Sequence, residues 1–182
     1  LVFLGNIHPD LQLSVAKLTL NADHIVTDTM NLWIDLFPEK VAEVLKLSTI
    51  LLINHEEAEQ FTGQSEIANA ASELLSYGPK IVVIKRGADG AYLAHGDVRR
   101  SVPVFPINML NDPTGAGDTF AGGFMGYLSQ SSRPDFLEAV IMGSAMASFC
   151  VEGFGVESLL SATPELLEHR VSTIKKTLME TV

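Results

Sequence analysis

A glycine-rich segment that runs into an apolar helical pattern holds the residues best suited to chemistry. It reads Asn-Asp-Pro-Thr-Gly-Ala-Gly-Asp-Thr-Phe over residues 111–120. Its two glycines let the backbone approach a ligand closely, and the first amides of a helix have no partner inside the helix. Such a helix start binds anions and can stabilise the charge of a phosphoryl group in transfer. We therefore interpret Gly115, Ala116 and Gly117 as a candidate anion hole.

Asp118 lies in the first turn of the same predicted helix, where the helix macrodipole favours an ionised carboxylate. A carboxylate beside an anion hole can accept the proton of a hydroxyl group whose oxygen attacks a phosphoryl group. Asp118 is therefore a candidate general base. The alternative interpretation is a glycine-rich turn in which Asp118 only complements the helix dipole.

A second polar pair, Asn54 and Glu57, follows the apolar run at 50–53. An asparagine at a helix N-cap and a glutamate three residues later can cap the helix reciprocally without any ligand. A capping box is thus one interpretation of this pair, and a ligand site is the other.

Short apolar runs rich in β-branched residues alternate with helical patterns in the first half of the chain. We predict strands at 1–5, 24–27, 49–53 and 81–84, with helices at 10–20, 38–47, 56–62 and 65–76 between them. This alternation predicts a parallel sheet with crossover helices. A period of two at 91–94 and 98–104 then predicts a hairpin, and three helices follow at 116–129, 134–151 and 164–179.

Polar residues gather where the predicted strands end. The carboxyl ends of parallel strands meet at one edge of the sheet, and ligands of open α/β sheets bind there. We therefore expect the residues that follow the first four strands to converge on that edge: Asn6, His8, Asp28, Asn54 and Lys85. Each of them can equally be an ordinary polar loop residue.

Composition excludes several classes of function. The 182 residues are 47% hydrophobic and 19% charged, which suits one core, so we expect a single domain over residues 1–182. A net charge of −10 argues against nucleic acid or an anionic membrane surface as a partner. The weakly charged stretch at 139–151 is shorter than the roughly 20 residues that a membrane span needs. The sequence contains no Gly-x-Gly-x-x-Gly after an early strand, which argues against a dinucleotide-binding Rossmann domain. It also contains no Gly-Lys-Ser/Thr, which argues against a P-loop kinase.

Cysteine and histidine usage indicates a reducing compartment and no zinc site. The one cysteine, Cys150, cannot form an intrachain disulfide, and we expect it to pack in the core. The five histidines show no paired ligand spacing. We therefore expect a cytoplasmic protein.

From about Thr49 to Val151, the order and spacing of three motifs resemble those of the ribokinase/PfkB carbohydrate kinase family. The segment 112–124 is similar to the C-terminal signature of that family, with proline at 113 where threonine is common. The resemblance implies that Asp118 is the catalytic base and that Gly115 to Gly117 form the anion hole.

The other two motifs imply an ATP and magnesium site. Asn54 and Glu57 resemble the Asn-x-x-Glu motif of the family, in which the asparagine supports the phosphates and the glutamate holds Mg²⁺ through water, a mode that suits this ion. The run 82–91 resembles the strand and turn that shape the nucleotide side of the cleft, where Lys85 or Arg86 offers positive charge to ATP. The turn that precedes the hairpin explains Gly87 and Gly90 equally well.

The resemblance assigns further ligands. Thr114 is a candidate ATP contact, and Asp112 is a candidate ligand of a monovalent cation such as K⁺. The segment 145–159 lies where the family lines its adenine pocket and cation site. Two features differ from the family: the asparagine of its Asp-x-Asn-x-Arg pattern is shifted to Asn31, and no arginine follows.

The resemblance implies a ribokinase-like three-layer α/β/α fold with a mostly parallel central sheet and C-terminal helices, without the lid and the N-terminal strands of the family. The implied activity is an ATP-dependent phosphotransferase, a carbohydrate kinase acting on a hydroxyl of a sugar or sugar-like molecule. A nucleoside kinase of the same family and a non-catalytic binding module are the alternatives. A homodimer is a further candidate assembly.

Overall fold

The computed structural model describes residues 1–130 and 132–180, which form alternating strands and helices followed by helices alone. The strands are β1 (Val2–Leu4), β2 (Ile25–Asp28), β3 (Ile50–Asn54), β4 (Ile81–Lys85), β5 (Ala91–His95) and β6 (Val98–Val102). The helices are α1 (Pro9–Leu18), α2 (Asn31–Leu36), α3 (Pro38–Leu47), α4 (His55–Thr62), α5 (Ile67–Ser76), α6 (Ala116–Leu128), α7 (Phe136–Cys150), α8 (Glu157–Leu160) and α9 (Pro164–Glu180). Every predicted element is present, and the short helices α2 and α8 are additional.

The six strands form one sheet in the order β1 to β6, so each strand lies beside the next along the chain. The pairs β1–β2, β2–β3 and β3–β4 are parallel. The predicted parallel sheet is confirmed, and the carboxyl ends of the first four strands meet at one edge as expected. A connection of two residues, Gly96 and Asp97, joins β5 to β6, as the predicted hairpin requires.

One face of the sheet is apolar and covered by helices. Side chains alternate between the two faces, and alternate residues of β3 and β4 join a buried cluster with α3, α4 and α5. The strand members are Leu51, Ile53, Val82 and Ile84, and the helix members include Val41, Leu45, Ala58, Ala71 and Leu74. Exclusion of these side chains from water holds α3, α4 and α5 against the strands.

The strand register puts three polar residues on the other face of the sheet. Asp28 pairs with Leu52, and Asn54 pairs with Lys85, at the carboxyl ends of their strands. Since residues two apart share a face, Asp28, Asn54 and Lys85 all project from the same side.

The chain divides into two compact units, one of residues 1–86 and 92–100, the other of residues 87–91 with the described residues from 101 onward. In the second unit, α6 and α7 approach closely because glycines lie at their contact. A Cβ atom on Gly143 would lie 2.9 Å from the carbonyl oxygen of Phe120, and one on Gly123 would lie 2.9 Å from Cβ of Met146. Among the described residues, no helix is long and apolar enough to cross a membrane. The single domain stays a prediction.

Two glycines of the turn before β5 have different reasons for being glycine. Gly87 and Gly90 both have positive φ, of 56° and 84°. A Cβ atom on Gly87 would meet no atom within 4 Å, whereas one on Gly90 would lie 2.0 Å from the carbonyl oxygen of Val102. Backbone geometry thus accounts for both, and Gly90 also has no room for a side chain.

We predict that Gly90→Ala destabilises the chain far more than Gly87→Ala does. Gly87→Ala should cost about 1 to 2 kcal/mol, the penalty of a left-handed conformation for an L residue. Gly90→Ala adds an overlap with Val102 and should cost roughly 3 to 4 kcal/mol in total. Urea unfolding of the two variants beside the parent chain measures both costs. Equal losses would show that the close approach of Val102 relaxes freely.

Candidate active site

Asn54 and Glu57 form a capping box at the start of α4. The amide of Glu57 donates to Oδ1 of Asn54 at 2.8 Å, and the amide of Asn54 donates to Oε2 of Glu57 at 3.0 Å. The capping interpretation is therefore confirmed. The second carboxylate oxygen, Oε1, accepts no hydrogen bond from the residues that the structure describes, so capping leaves one oxygen for another partner.

Lys85 is paired with Asp28 rather than extended alone into solvent. Its Nζ lies 3.3 Å from Oδ2 and 3.4 Å from Oδ1 of Asp28. The two side chains are only 16% and 9% exposed, so solvent screens the pair weakly. Because β3 lies between β2 and β4, this ion pair passes across the end of β3, beside Asn54. The sequence predicted the position of Asp28 at this edge but not its ion pair with Lys85.

Gln12 of α1 joins the carboxyl ends of β1 and β2 through hydrogen bonds. It is 1% exposed, and its Nε2 donates to the carbonyl oxygens of Gly5 at 2.8 Å and Asp28 at 2.9 Å. Sequence reasoning missed this role, although a glutamine among the apolar positions of α1 is a signal of a buried polar contact.

The carboxyl group of Glu57 has a raised pKa. Burial is the largest cause, and the hydrogen bond from the Asn54 amide and the charge of Lys85 oppose it. The neighbouring carboxylates of Asp28 and Glu56 raise the pKa further. The first unit therefore holds an acidic group whose ionised form gains from any added positive charge.

The start of α6 carries the proposed anion hole in the second unit. Gly115 is its N-cap with φ +81°, and Thr119 donates the first regular bond back to Gly115 at 2.8 Å. The amide of Ala116 donates to Pro113 at 3.1 Å. The amides of Gly117 and Asp118 donate to no acceptor among the described residues, which leaves two adjacent donors for an anion.

The side chains around this helix start are suited to charge. Asp118 is exposed in the first turn of α6. Oδ1 of Asp112 accepts a hydrogen bond from the amide of Thr114 at 2.9 Å. Hydrogen bonds from the side chain and the backbone of Thr114 lower the pKa of Asp112.

The candidate residues thus fall into two groups. The first unit brings Asn54, Glu57 and Lys85 together with Asp28, and the second holds Asp112, Thr114 and Gly115 to Asp118 on one helix start. Gly87 and Gly90 lie in the turn before β5. Asn31 is exposed and donates to Gln60 at 2.9 Å. That Asn54, Lys85 and Asp118 line one cleft stays a prediction, because they belong to different units.

Comparison with known proteins agrees with this arrangement of fold and motifs. The family model described as "pfkB family carbohydrate kinase" matches residues 7–163. An uncharacterised sugar kinase of Archaeoglobus fulgidus is 36% identical over 115 residues, which cover 62% of this chain and 44% of that protein. A cytidine kinase of Thermococcus kodakarensis is also 36% identical over 115 residues, covering 62% and 40%.

Solved structures show the same fold. The aminoimidazole riboside kinase of Salmonella enterica, in complex with aminoimidazole riboside and an ATP analogue, has a TM-score of 0.74 and 27% identity. The match covers 88% of this chain and 56% of that one. The predicted ribokinase-like α/β fold is confirmed. The matched region spans less than half the length of the two curated relatives above.

We predict that Glu57→Gln is more stable than the parent chain, and that the difference grows as the pH rises above about 4.5, the usual pKa of this carboxyl group. Because the folded state raises this pKa, it binds the proton more tightly than the unfolded state, and stability falls as Glu57 ionises. Glutamine keeps an oxygen for the Asn54 amide but does not ionise. The free energy of unfolding in urea, measured from acid to neutral pH, should favour the variant increasingly until Glu57 is fully ionised.

Glu56→Gln is the matched control, because Glu56 is the exposed neighbour in the same helix turn. Its stability difference from the parent should change with pH in the same direction but much less, because the charge of Glu56 is the smallest of the causes that raise the pKa of Glu57. An equal change in both variants would assign the effect to the helix dipole rather than to burial of Glu57.

Proposed function

The chain belongs to the pfkB family of carbohydrate kinases, and we propose that the protein transfers the γ-phosphoryl group of ATP to a hydroxyl group of a sugar or sugar-like molecule. The observation that carries this proposal is the start of α6, where the unpartnered amides of Gly117 and Asp118 adjoin the carboxylate of Asp118. An anion hole and a base at the same helix start are the two protein groups that such a transfer needs.

In the proposed reaction, the carboxylate of Asp118 accepts the proton of the substrate hydroxyl. The hydroxyl oxygen forms a bond to the γ-phosphorus of ATP as the bond from that phosphorus to the β,γ-bridging oxygen breaks, and ADP leaves. The amides at the start of α6 stabilise the negative charge on the transferred group without moving. Gly115, the N-cap of α6, has the left-handed backbone with which the chain turns into the helix.

The first unit supplies the groups proposed to hold the nucleotide phosphates and Mg²⁺. Oε1 of Glu57, which capping leaves available, fits an ion that prefers oxygen ligands and keeps its water. When bound, Mg²⁺ neutralises charge on the phosphates of ATP. Asn54 and Lys85 are the proposed phosphate contacts, with Lys85 held at the strand ends by Asp28.

Roles of four other residues follow from the same proposal. Thr114 contacts the nucleotide, and Gly87 and Gly90 form a turn on the nucleotide side of the cleft. Asp112, whose pKa is lowered by Thr114, is a proposed ligand of a monovalent cation such as K⁺. Carboxylate oxygens suit hard cations.

The acceptor distinguishes the leading proposal from its alternatives. The two curated relatives described above carry the names of a sugar kinase and a cytidine kinase, so both substrate classes have support. Release of ADP should be measured with ribose, fructose, 2-keto-3-deoxygluconate and a set of nucleosides, each with MgATP. Turnover of a sugar supports the leading proposal, turnover of nucleosides alone supports the nucleoside kinase, and binding without turnover supports a non-catalytic module.

We predict that Asp118→Asn in the full-length protein abolishes most turnover and leaves the fold and ATP affinity nearly unchanged. Asparagine fits the same helix turn but cannot accept the hydroxyl proton. Loss of a general base costs about a hundred- to ten-thousand-fold in kcat, roughly 3 to 5 kcal/mol of barrier. Steady-state kinetics and calorimetric titration with MgATP measure the two effects. Wild-type kcat in a folded variant would leave Asp118 with a capping role alone.

We predict that Glu57→Gln raises the Mg²⁺ concentration needed for half-maximal activity by about tenfold, because outer-shell ligands of metals have effects of this size. Glu56→Gln, one residue away and exposed, should leave the Mg²⁺ dependence as it is. Titration of activity with Mg²⁺ at fixed ATP tests both variants. An identical Mg²⁺ dependence in all three proteins would return Glu57 to capping only.

A further inference from the structure

We propose that Arg170 of α9 is a positioning residue that fixes the loop 111–115, and hence the start of α6, through the C-terminal end of α7. The consequence for turnover rests on the proposed function, whereas the consequence for the loop does not. Arg170 lies outside the three motifs of the kinase resemblance.

Arg170 makes four contacts, three of them with residues at the C-terminal end of α7 and one with Phe105, which follows β6. Its guanidinium carbon lies 3.5 Å from the ring centroid of Phe149 and 4.6 Å from that of Phe105. Nη1 donates to Oγ of Ser148 at 2.8 Å, and Nη2 donates to Oε2 of Glu152. The Arg170 side chain is 12% exposed, so these contacts are largely removed from solvent.

The same short segment, residues 148–152, contacts Arg170 and also holds the loop 111–115. The amide of Asn111 donates to the carbonyl oxygen of Val151 at 2.8 Å. Its side-chain Nδ2 donates to the carbonyl oxygen of Glu152 at 2.6 Å. Sγ of Cys150 donates to the carbonyl oxygen of Thr114 at 3.4 Å. Residues 148–152 therefore contact Arg170 on one side and the loop on the other.

Cys150 lies close to the helix start. It is 2% exposed, as the sequence predicted, and a Cβ atom on Gly115 would lie 3.7 Å from its Sγ. A shift of residues 148–152 would thus be transmitted to Thr114, the residue before Gly115, through the hydrogen bond from Cys150. Misplacement of a catalytic group by about 1 Å can cost a hundredfold in rate.

The chemistry of these contacts requires an arginine. The planar guanidinium stacks on Phe149 while its two Nη atoms reach different acceptors, Ser148 and Glu152. A lysine ammonium is a single point charge that cannot keep both acceptors and the stacking together. Arg170→Lys therefore retains the charge and removes the geometry.

The chain offers a matched control in Lys175, which lies on the same helix. Its Nζ is 2.7 Å from Oε2 of Glu138 in the first turn of α7. This ion pair joins α9 to α7 as the pair of Arg170 and Glu152 does, but its α7 partner is at the opposite end of that helix from the loop. Lys175→Met thus removes a contact between the same helices without touching residues 148–152.

The test uses the full-length protein with Arg170→Lys, Glu152→Gln and Lys175→Met. Glu152→Gln removes the charge that faces Arg170 but keeps the backbone carbonyl that Asn111 needs, so it tests the same link if Arg170→Lys folds poorly. Hydrogen–deuterium exchange of peptides that cover 111–118 is measured below the unfolding transition of every variant. We expect at least severalfold faster exchange there for Arg170→Lys and Glu152→Gln, and parent rates for Lys175→Met.

Kinetics with MgATP and the accepted substrate form the second readout. We expect kcat to fall roughly ten- to a hundredfold in Arg170→Lys, with a smaller change in KM for ATP, and Lys175→Met to remain within about twofold of the parent. Parent exchange rates at 111–118 in both Arg170→Lys and Glu152→Gln overturn the proposal, as does equal acceleration by Lys175→Met. Faster exchange with unchanged kcat supports the positioning role of Arg170 and contradicts the proposed anion hole.

Discussion

Hydrogen bonding between the parallel strands β2, β3 and β4 is the constraint on which the first unit depends. Its register sets Asp28, Asn54 and Lys85 on one face of the sheet, at the ends where the chain leaves each strand. A slip of one residue in any strand would turn its polar residue toward the apolar cluster under α3 to α5. The burial of that cluster therefore fixes the position of the polar group as well as the core.

Acidic and basic side chains lie close together at this edge of the sheet. The ammonium group of Lys85 pairs with Asp28, and its charge also lowers the pKa of Glu57, in a partly buried environment. Burial of the ionised Glu57 costs stability, and the raised pKa reflects that cost. Sites that bind cations commonly accept such a cost, because a bound ion offsets it, and this supports the proposed role of Glu57. The capping box keeps Glu57 in place meanwhile.

The proposed anion hole of the second unit consists of backbone amides rather than of charged side chains. The start of α6 offers amide donors because Gly115 bends the chain into the helix. These donors depend on the loop 111–115, which rests on the end of α7, and that end is held by Arg170. The glycines between α6 and α7 bring these helices close, so the loop 111–115 rests on closely packed helices. Backbone amide donors need such a support, because no flexible side chain can adjust the position of a backbone donor.

The sequence determined the local features of this protein, and tertiary structure decided the pairings between distant residues. Strand and helix positions, the capping box of Asn54 and Glu57 and the glycine-rich helix start were predictable, since each depends on residues within a few positions of one another. The helix α2 was missed because its six residues show too little periodicity. The pair of Lys85 with Asp28 joins residues 57 apart, and Arg170 meets Phe105 and Phe149 from a third element. No local pattern encodes such contacts, because they exist only when packing brings separate elements together.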